Sequence, residues 1–251
     1  MPTLTLLPPG RVDRRRAPVA RKTRSAPPAT GAASTAMTST DRAVLRKIPK
    51  SGLNLVLWTR SLPAPVTALL LSLIAPRKSV AMDITAAPGD PLLAVLSRHA
   101  FFRSGTWADG RHWLMQDFAA LAQDVAKILD CGKVRLRFNR VADVACPAFH
   151  VDSLPARLLC TYTGAGTQWA DERHVCPNEL GLKGRTPAEA NAAIVPDPAC
   201  IRTMPTGAVA LFKGRLWPGG KTMGLVHRSH PGCCDRHARL LLVIDPAGHA
   251  Y

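Results

Sequence analysis

The sequence predicts an α+β domain in which helices pack on one side of an antiparallel barrel or sandwich. Two periodicities carry that prediction. Leu114, Phe118, Leu121, Val125 and Ile128 step by 4, 3, 4 and 3 residues and so mark one face of a helix. From Val134 the period drops to two: Val134, Leu136 and Phe138 alternate with Arg135, Arg137 and Asn139, the signature of a strand with one wet face. Helical patterns come first and strand patterns afterwards, an order that favours segregated layers over a wound α/β fold.

Taken in order, residues 1–47 are rich in Pro, Ala, Ser, Thr and Arg and show no sustained apolar period, so they read as a disordered basic leader. A translation start at Met37 is an alternative reading of the same segment. A single domain is expected over residues 48–251. Residues 52–59 (GLNLVLWT) predict a short strand, and 66–74 a short buried helix. Asp90-Pro91 supplies an N-cap followed by Pro at the first helical position, opening a helix that ends near Phe102. The long helix runs from about Arg111 to Cys131, with Gly132 as its stop. Strands follow at 134–141 and 156–164. Residues 171–206 are turn-rich, with a short helix at 187–194, and a connection of that length is usually functional or mobile. Strands resume at 207–214, 224–229 and 239–245.

Charge bounds the partners. The formal net charge is +16, and residues 1–50 carry 11 Lys and Arg against Asp13 and Asp41. Nucleic-acid binding is therefore expected only through the basic leader, by phosphate neutralisation. The most apolar stretch, 66–75, falls far short of the roughly 20 residues that span a bilayer, so no membrane partner is expected. No apolar core with a small-residue cleavage site marks the leader as a secretory signal. Seven cysteines, an odd number with no C-x-x-C, predict reduced thiols and a cytoplasmic setting. A phosphate-binding loop, a dinucleotide fingerprint and a serine nucleophile elbow are all missing from the sequence.

The chemistry-bearing pattern begins in CPAFHVDSLPARLLCTY, where His150 and Asp152 sit two apart. His227 follows 77 residues later in LVHRSHP, and Arg239 opens the apolar run RLLLVID. Two imidazoles and one carboxylate make the facial triad of non-haem Fe(II) sites, which leaves coordination positions open. An arginine then offers a bidentate match to a carboxylate. The same residues also admit a structural reading, in which His150 and Asp152 cap a turn and His227 is a satisfied core histidine. A second cluster lies in the turn HPGCCDRHAR, where His230, Cys233, Cys234 and His237, with or without His227, form an alternative metal site for zinc.

In this order the residues resemble the Fe(II)/2-oxoglutarate-dependent oxygenases. A closer resemblance, carried by GLNLVLWTR, FHVDSLPARLLCTYTGAGTQW, ALFKG, GLVHRS and RLLLVID, is to a bacterial family called domain of unknown function 1826, over about residues 48–245. The oxygenase resemblance implies a double-stranded β-helix (jelly roll), with His150, Asp152 and His227 as metal ligands and no catalytic residue beyond them. It also implies Fe(II) and 2-oxoglutarate as cofactors. Arg239 would clamp 2-oxoglutarate, and Tyr162 would bond the same cosubstrate. The substrate, small molecule or protein, is not implied, although residues 171–206 would shape its pocket. The closer family also brings in a zinc-homeostasis reading, a metal-binding accessory protein without turnover, in which zinc is the alternative metal.

Overall fold

The computed structural model describes residues 33–75, 78–103, 105–218 and 223–247, except for the side chain of Asp90. In chain order the elements are β1 (Ala36–Ser39), β2 (Leu55–Trp58), α1 (Ala64–Ile74), β3 (Ala81–Ala86), α2 (Asp90–Arg98), α3 (Ala100–Arg103), α4 (Ala108–Leu129) and β4 (Lys133–Val141). Then come β5 (Ala156–Thr163), β6 (Gln168–Ala170), α5 (Pro187–Ile194), β7 (Ile201–Thr203), β8 (Val209–Lys213), β9 (Val226–Arg228) and β10 (Arg239–Ala247).

Seven strands form one sheet in the order β1-β2-β8-β5-β10-β4-β3, antiparallel except for the β1–β2 pair. A second sheet has the order β7-β6-β9. Alternation along each strand divides the large sheet into two faces. Leu136 and Phe138 of β4, Leu158 and Cys160 of β5, and Leu240, Leu242 and Ile244 of β10 pack with Val66 and Leu69 of α1, Leu96 of α2 and Phe118 of α4. The opposite face sends Leu57, Leu159, Ala210 and Phe212 against Trp169, Met204 and Leu225 of the small-sheet layer. The layers are thus helices, large sheet and small sheet, and the cleft lies between the two sheets. The α+β expectation holds, and α1, α2 and α4 lie on one side of the large sheet, whereas α5 packs in a separate core beyond the small sheet. Among the described residues the sheets do not close into a barrel.

Several boundaries shift for local reasons. Order begins before residue 48: β1 pairs with β2, and Val44 and Leu45, in a 3-10 turn over Arg42–Lys47, are buried in the helix-side core. Met37 lies inside β1 rather than ahead of the fold. The fully buried Asp171 ties this segment down, accepting from the Ser34 hydroxyl at 2.5 Å and from the Thr35 backbone. Residues 1–32 of the expected leader lie outside the described residues. The expected helix from Asp90 to Phe102 breaks at His99, which turns extended and divides α2 from α3. Gly89, at φ 113°, is the cap residue, and Asp90 is already helical. Helix α4 stops at Asp130, which takes the left-handed conformation expected of Gly132. The short strands β1, β3 and β7 were not read from the sequence.

Candidate metal centre

Residues 149–152 are not a strand of either sheet, yet they keep strand alternation. Phe149 and Val151 are buried in a third core with Ala170, Val175, Ile194 and Val226. His150 and Asp152 therefore point the other way, into the cleft. One isolated bridge holds His150 to His227: the His150 N–H donates to the His227 carbonyl, and the His227 N–H donates back to His150, both at 3.0 Å. Asn191 of α5 closes the free edge of the segment. Its Oδ1 accepts from Phe149 N–H at 2.7 Å, and its Nδ2 donates to the Pro147 carbonyl at 2.9 Å. Residues 171–206 thus back the ligand-bearing segment and the outer face of the small sheet.

The turn after Asp152 depends on close backbone approach. A Cβ on Gly214 would overlap the Leu154 carbonyl oxygen, and one on Gly224 (φ 80°) would lie 2.7 Å from Val151 Cγ1. The Arg215 N–H donates to the Asp152 carbonyl at 2.9 Å.

The ligand atoms of His150, Asp152 and His227 all lie within 4.8 Å of one another, and no other such group of His, Cys, Asp and Glu occurs among the described residues. His150 Nε2 is 3.6 Å from Asp152 Oδ1, and His227 Nε2 is 3.6 Å from Asp152 Oδ2. Each imidazole places Nδ1 at 3.1 Å from the carbonyl two residues earlier, Ala148 for His150 and Leu225 for His227. A carbonyl can only accept, so Nδ1 carries the proton and Nε2 presents its lone pair to Asp152. Ligand atoms bonded at about 2.1 Å and at right angles sit about 3 Å apart, so a metal would draw the three together by a small closure.

The two imidazoles have different surroundings. His227 lies against the Phe212 ring, with centroids 4.8 Å apart, and is 5% exposed. Burial drives its pKa down to about 4, so it is neutral and ready to ligate. The Asp152 carboxylate facing Nε2 raises the pKa of the more open His150. Burial pushes the Asp152 carboxyl up, but the nearby His150, His227 and Arg157 outweigh it and hold the group below the usual carboxylate range.

Arg239 opens β10 on the cleft face and is 4% exposed. Its Nη1 donates to Thr167 Oγ1 at 3.3 Å and its Nη2 to Ser229 Oγ at 3.2 Å, while its buried Nε has no partner. Among the described residues no carboxylate pairs with it, and burial lowers its pKa. Ser229 lies two residues beyond His227, so the same side of that chain segment serves both groups. Gly164, at φ 85°, is required here because a Cβ would press on Ala238 and Arg239.

Tyr162 is not in this cleft. It shares the helix-side face of β5 with Leu158 and Cys160, donates to the Asp117 carboxylate, and lies beside Arg60, which is bidentate to Asp117 at 2.5 and 2.7 Å. The alternative Cys/His cluster does not assemble either. The Cys233 thiol turns to the Val141 carbonyl, His230 accepts from the Gly232 N–H, and only Cys234 and His237 meet, at 3.7 Å. The residue missed from sequence is Arg157, one position into β5, whose Nη1 lies 2.9 Å from Asp152 Oδ2.

The family profile described as "Protein of unknown function (DUF1826)" matches residues 39–245. No curated protein matches the sequence. Solved structures similar to this chain include an Arabidopsis thaliana dioxygenase for auxin oxidation in complex with 2-oxoglutarate, at 12% identity and TM-score 0.44, covering 86% of this chain and 92% of that one. A Pseudomonas putida prolyl-4-hydroxylase is similar at 12% identity and TM-score 0.39, covering 82% and 98%. A bsmA homolog from Methylobium petroleophilum is similar at 11% identity and TM-score 0.45, covering 82% and 95%. No helix among the described residues is long and apolar enough to cross a membrane.

Proposed function

The chain belongs to the DUF1826 family, and from that premise we propose that it is an Fe(II)/2-oxoglutarate-dependent oxygenase-like protein of still undefined substrate. The observation that carries this reading is the His150–Asp152–His227 triad, whose ligand atoms lie within 4.8 Å of one another, together with the buried Arg239, held by Ser229 two residues beyond His227 and paired with no carboxylate among the described residues. Two facing sheets with the ligands between them are compatible with an open double-stranded β-helix, the fold that the sequence resemblance implies.

In this reading His150, Asp152 and His227 hold Fe(II), and three protein ligands leave room for a bidentate oxo-acid and dioxygen. When bound, the metal with 2-oxoglutarate supplies oxidative decarboxylation coupled to oxidation of a C–H bond. The chain contributes ligation, orientation and dryness. Thr167 and Ser229 fix the guanidinium of Arg239. Its Nε has no partner and, among the described residues, no carboxylate pairs with it, which suits it to receive the distal carboxylate of the cosubstrate, since a buried cation without a paired counter-charge is costly until one arrives. Phe212, Trp169 and Leu225 keep the His227 side of the cleft dry.

Anaerobic titration with Fe(II), with and without 2-oxoglutarate, tests the reading. The expected result is a weak visible charge-transfer band that needs both His150 and Arg239, and so disappears in His150→Ala and Arg239→Ala. Tight zinc binding that is indifferent to Arg239→Ala, with no such band, would move the function to metal handling. No metal binding at all would remove the reading.

A further inference from the structure

Asp152 has two oxygens, and the structure gives them different neighbours. Oδ1 faces His150 Nε2 at 3.6 Å. Oδ2 faces His227 Nε2 at 3.6 Å and, unlike Oδ1, is also held by Nη1 of Arg157 at 2.9 Å. The same guanidinium reaches a second carboxylate, with Nε 2.7 Å from Asp245 Oδ1 and Nη2 2.9 Å from Asp245 Oδ2. Asp245 is in turn held by Arg137 Nη2 at 2.6 Å. All four side chains are partly or largely buried: 21% exposed for Arg157, 13% for Asp245, 10% for Asp152 and 30% for Arg137.

The backbone explains why the chain of contacts is rigid. Arg157 lies on the cleft face of β5, alternating with the helix-side residues Ala156 and Leu158. Asp245 follows Ile244, which pairs with Leu158 in the β10–β5 ladder. Arg137 stands on β4, paired with Val243 of β10. Three adjacent strands thus hold the row Arg137, Asp245, Arg157, and the last member reaches out to Asp152 on the small-sheet side. A planar guanidinium engaged at both edges has little freedom left.

We propose that Arg157 is the positioning residue of the metal centre: by holding Asp152 Oδ2 it fixes the rotation of the carboxylate between the two imidazoles and keeps both oxygens from chelating the metal together. This rests on the functional reading above. A monodentate carboxylate matters because a chelating one would occupy a position that the cosubstrate needs. Arg157 is not a catalytic residue, because it acts through Asp152.

Two physical effects of removing Arg157 have opposite signs, which makes the inference testable. If the residue acted only through its charge, its loss would relieve repulsion of a divalent cation and tighten binding. If it positions Asp152, its loss frees the carboxylate and weakens binding. Bidentate pairing with Asp245 offsets most of the charge, so the positioning effect is expected to win. Supporting groups of this kind typically contribute about 10–100-fold to metal affinity.

The experiment is anaerobic Co(II) titration of the full chain, read by its visible absorption, for wild type, Arg157→Gln, Arg157→Lys and Asp245→Asn, with circular dichroism to check folding. The expected result is a tenfold or greater loss of Co(II) affinity in Arg157→Gln, a clear residual loss in Arg157→Lys, which keeps the charge but not the fork, and a loss in Asp245→Asn. Binding by Arg157→Gln as tight as wild type, or tighter, would overturn the proposal. Should Arg157→Gln fail to fold, Asp245→Asn decides: unchanged affinity there overturns the proposal as well. Failure of the wild type itself to bind Co(II) through His150, Asp152 and His227 would instead sink the functional reading, and this inference with it.

Discussion

His150 and His227 form a single antiparallel bridge, and each turns its Nδ1 to the carbonyl two residues behind it. Residues far apart in sequence thereby become one matched pair, with ring centroids 4.5 Å apart and both Nε2 atoms aimed at one carboxylate. The pairing is symmetric, but the burial is not.

That asymmetry separates ligation from stability. His150→Ala should abolish tight metal binding while changing the stability of the metal-free protein by less than about 1 kcal/mol, since its side chain is 35% exposed. His227→Ala should abolish binding too, and also open a cavity beside Phe212, costing about 2–4 kcal/mol. Metal titration and urea denaturation of both variants check the split.

The helix-side ion pair should behave in the opposite way. Asp117→Ala would leave the buried Arg60 without its bidentate partner, at a cost of about 3–5 kcal/mol. Tyr162→Phe removes one donor from the same carboxylate and should cost less, about 1 kcal/mol. Neither group faces the cleft, so Tyr162→Phe should bind metal and 2-oxoglutarate as wild type does. A loss of 2-oxoglutarate binding in Tyr162→Phe would restore the role that the sequence alone suggested.

Asn191 supplies what a neighbouring strand would otherwise give the segment 147–149. Replacing it with Leu strands one buried N–H, at a cost of about 1–3 kcal/mol, while the carbonyl of the exposed Pro147 turns to water. Urea denaturation should show a loss of that order, and the metal titration a weaker site, because His150 rides on the loosened segment.

The cysteines make a pH-dependent prediction. Burial pushes the Cys160 thiol up to about 12, against an ordinary value near 8.5. Its neutral form is favoured by the fold, so its contribution to stability is complete below the ordinary value and is lost as the pH rises towards 12. At pH 8 a thiol reagent should modify the exposed Cys146 and Cys234 readily and reach Cys160 only after denaturant is added. Mass spectrometry of the labelled peptides reads this directly.

Much of the site was legible because period two survives even where no regular strand forms. The alternation in FHVD put His150 and Asp152 on one side and Phe149 and Val151 on the other. Parity would also have excluded Tyr162, which shares a face with Leu158 and Cys160, whereas Arg157 shares one with Leu159. Arg157 itself looks like any wet-face arginine until the turn brings Asp152 over it. Asn191 was hidden in a turn-rich segment whose packing partner lies 42 residues away. The Cys/His turn suggests a site by composition alone: Cys233 and His230 satisfy backbone groups, and Cys234 and His237 meet only each other. Short strands such as β7 take their identity from pairing rather than from their own residues.

β10 follows every other described element in the chain, yet it lies between β5 and β4 and brings both Arg239 and Asp245. During synthesis, then, the growing chain carries two half-sheets with unpaired edges until this strand emerges. His150 and Asp152 are made early but cannot be clamped or braced in the meantime. Proteins are assembled from the N-terminus at about 5–20 residues per second, so there is an interval of several seconds in which those edges stay open. Completion of the centre and completion of the fold are then one event, triggered by the arrival of a single strand.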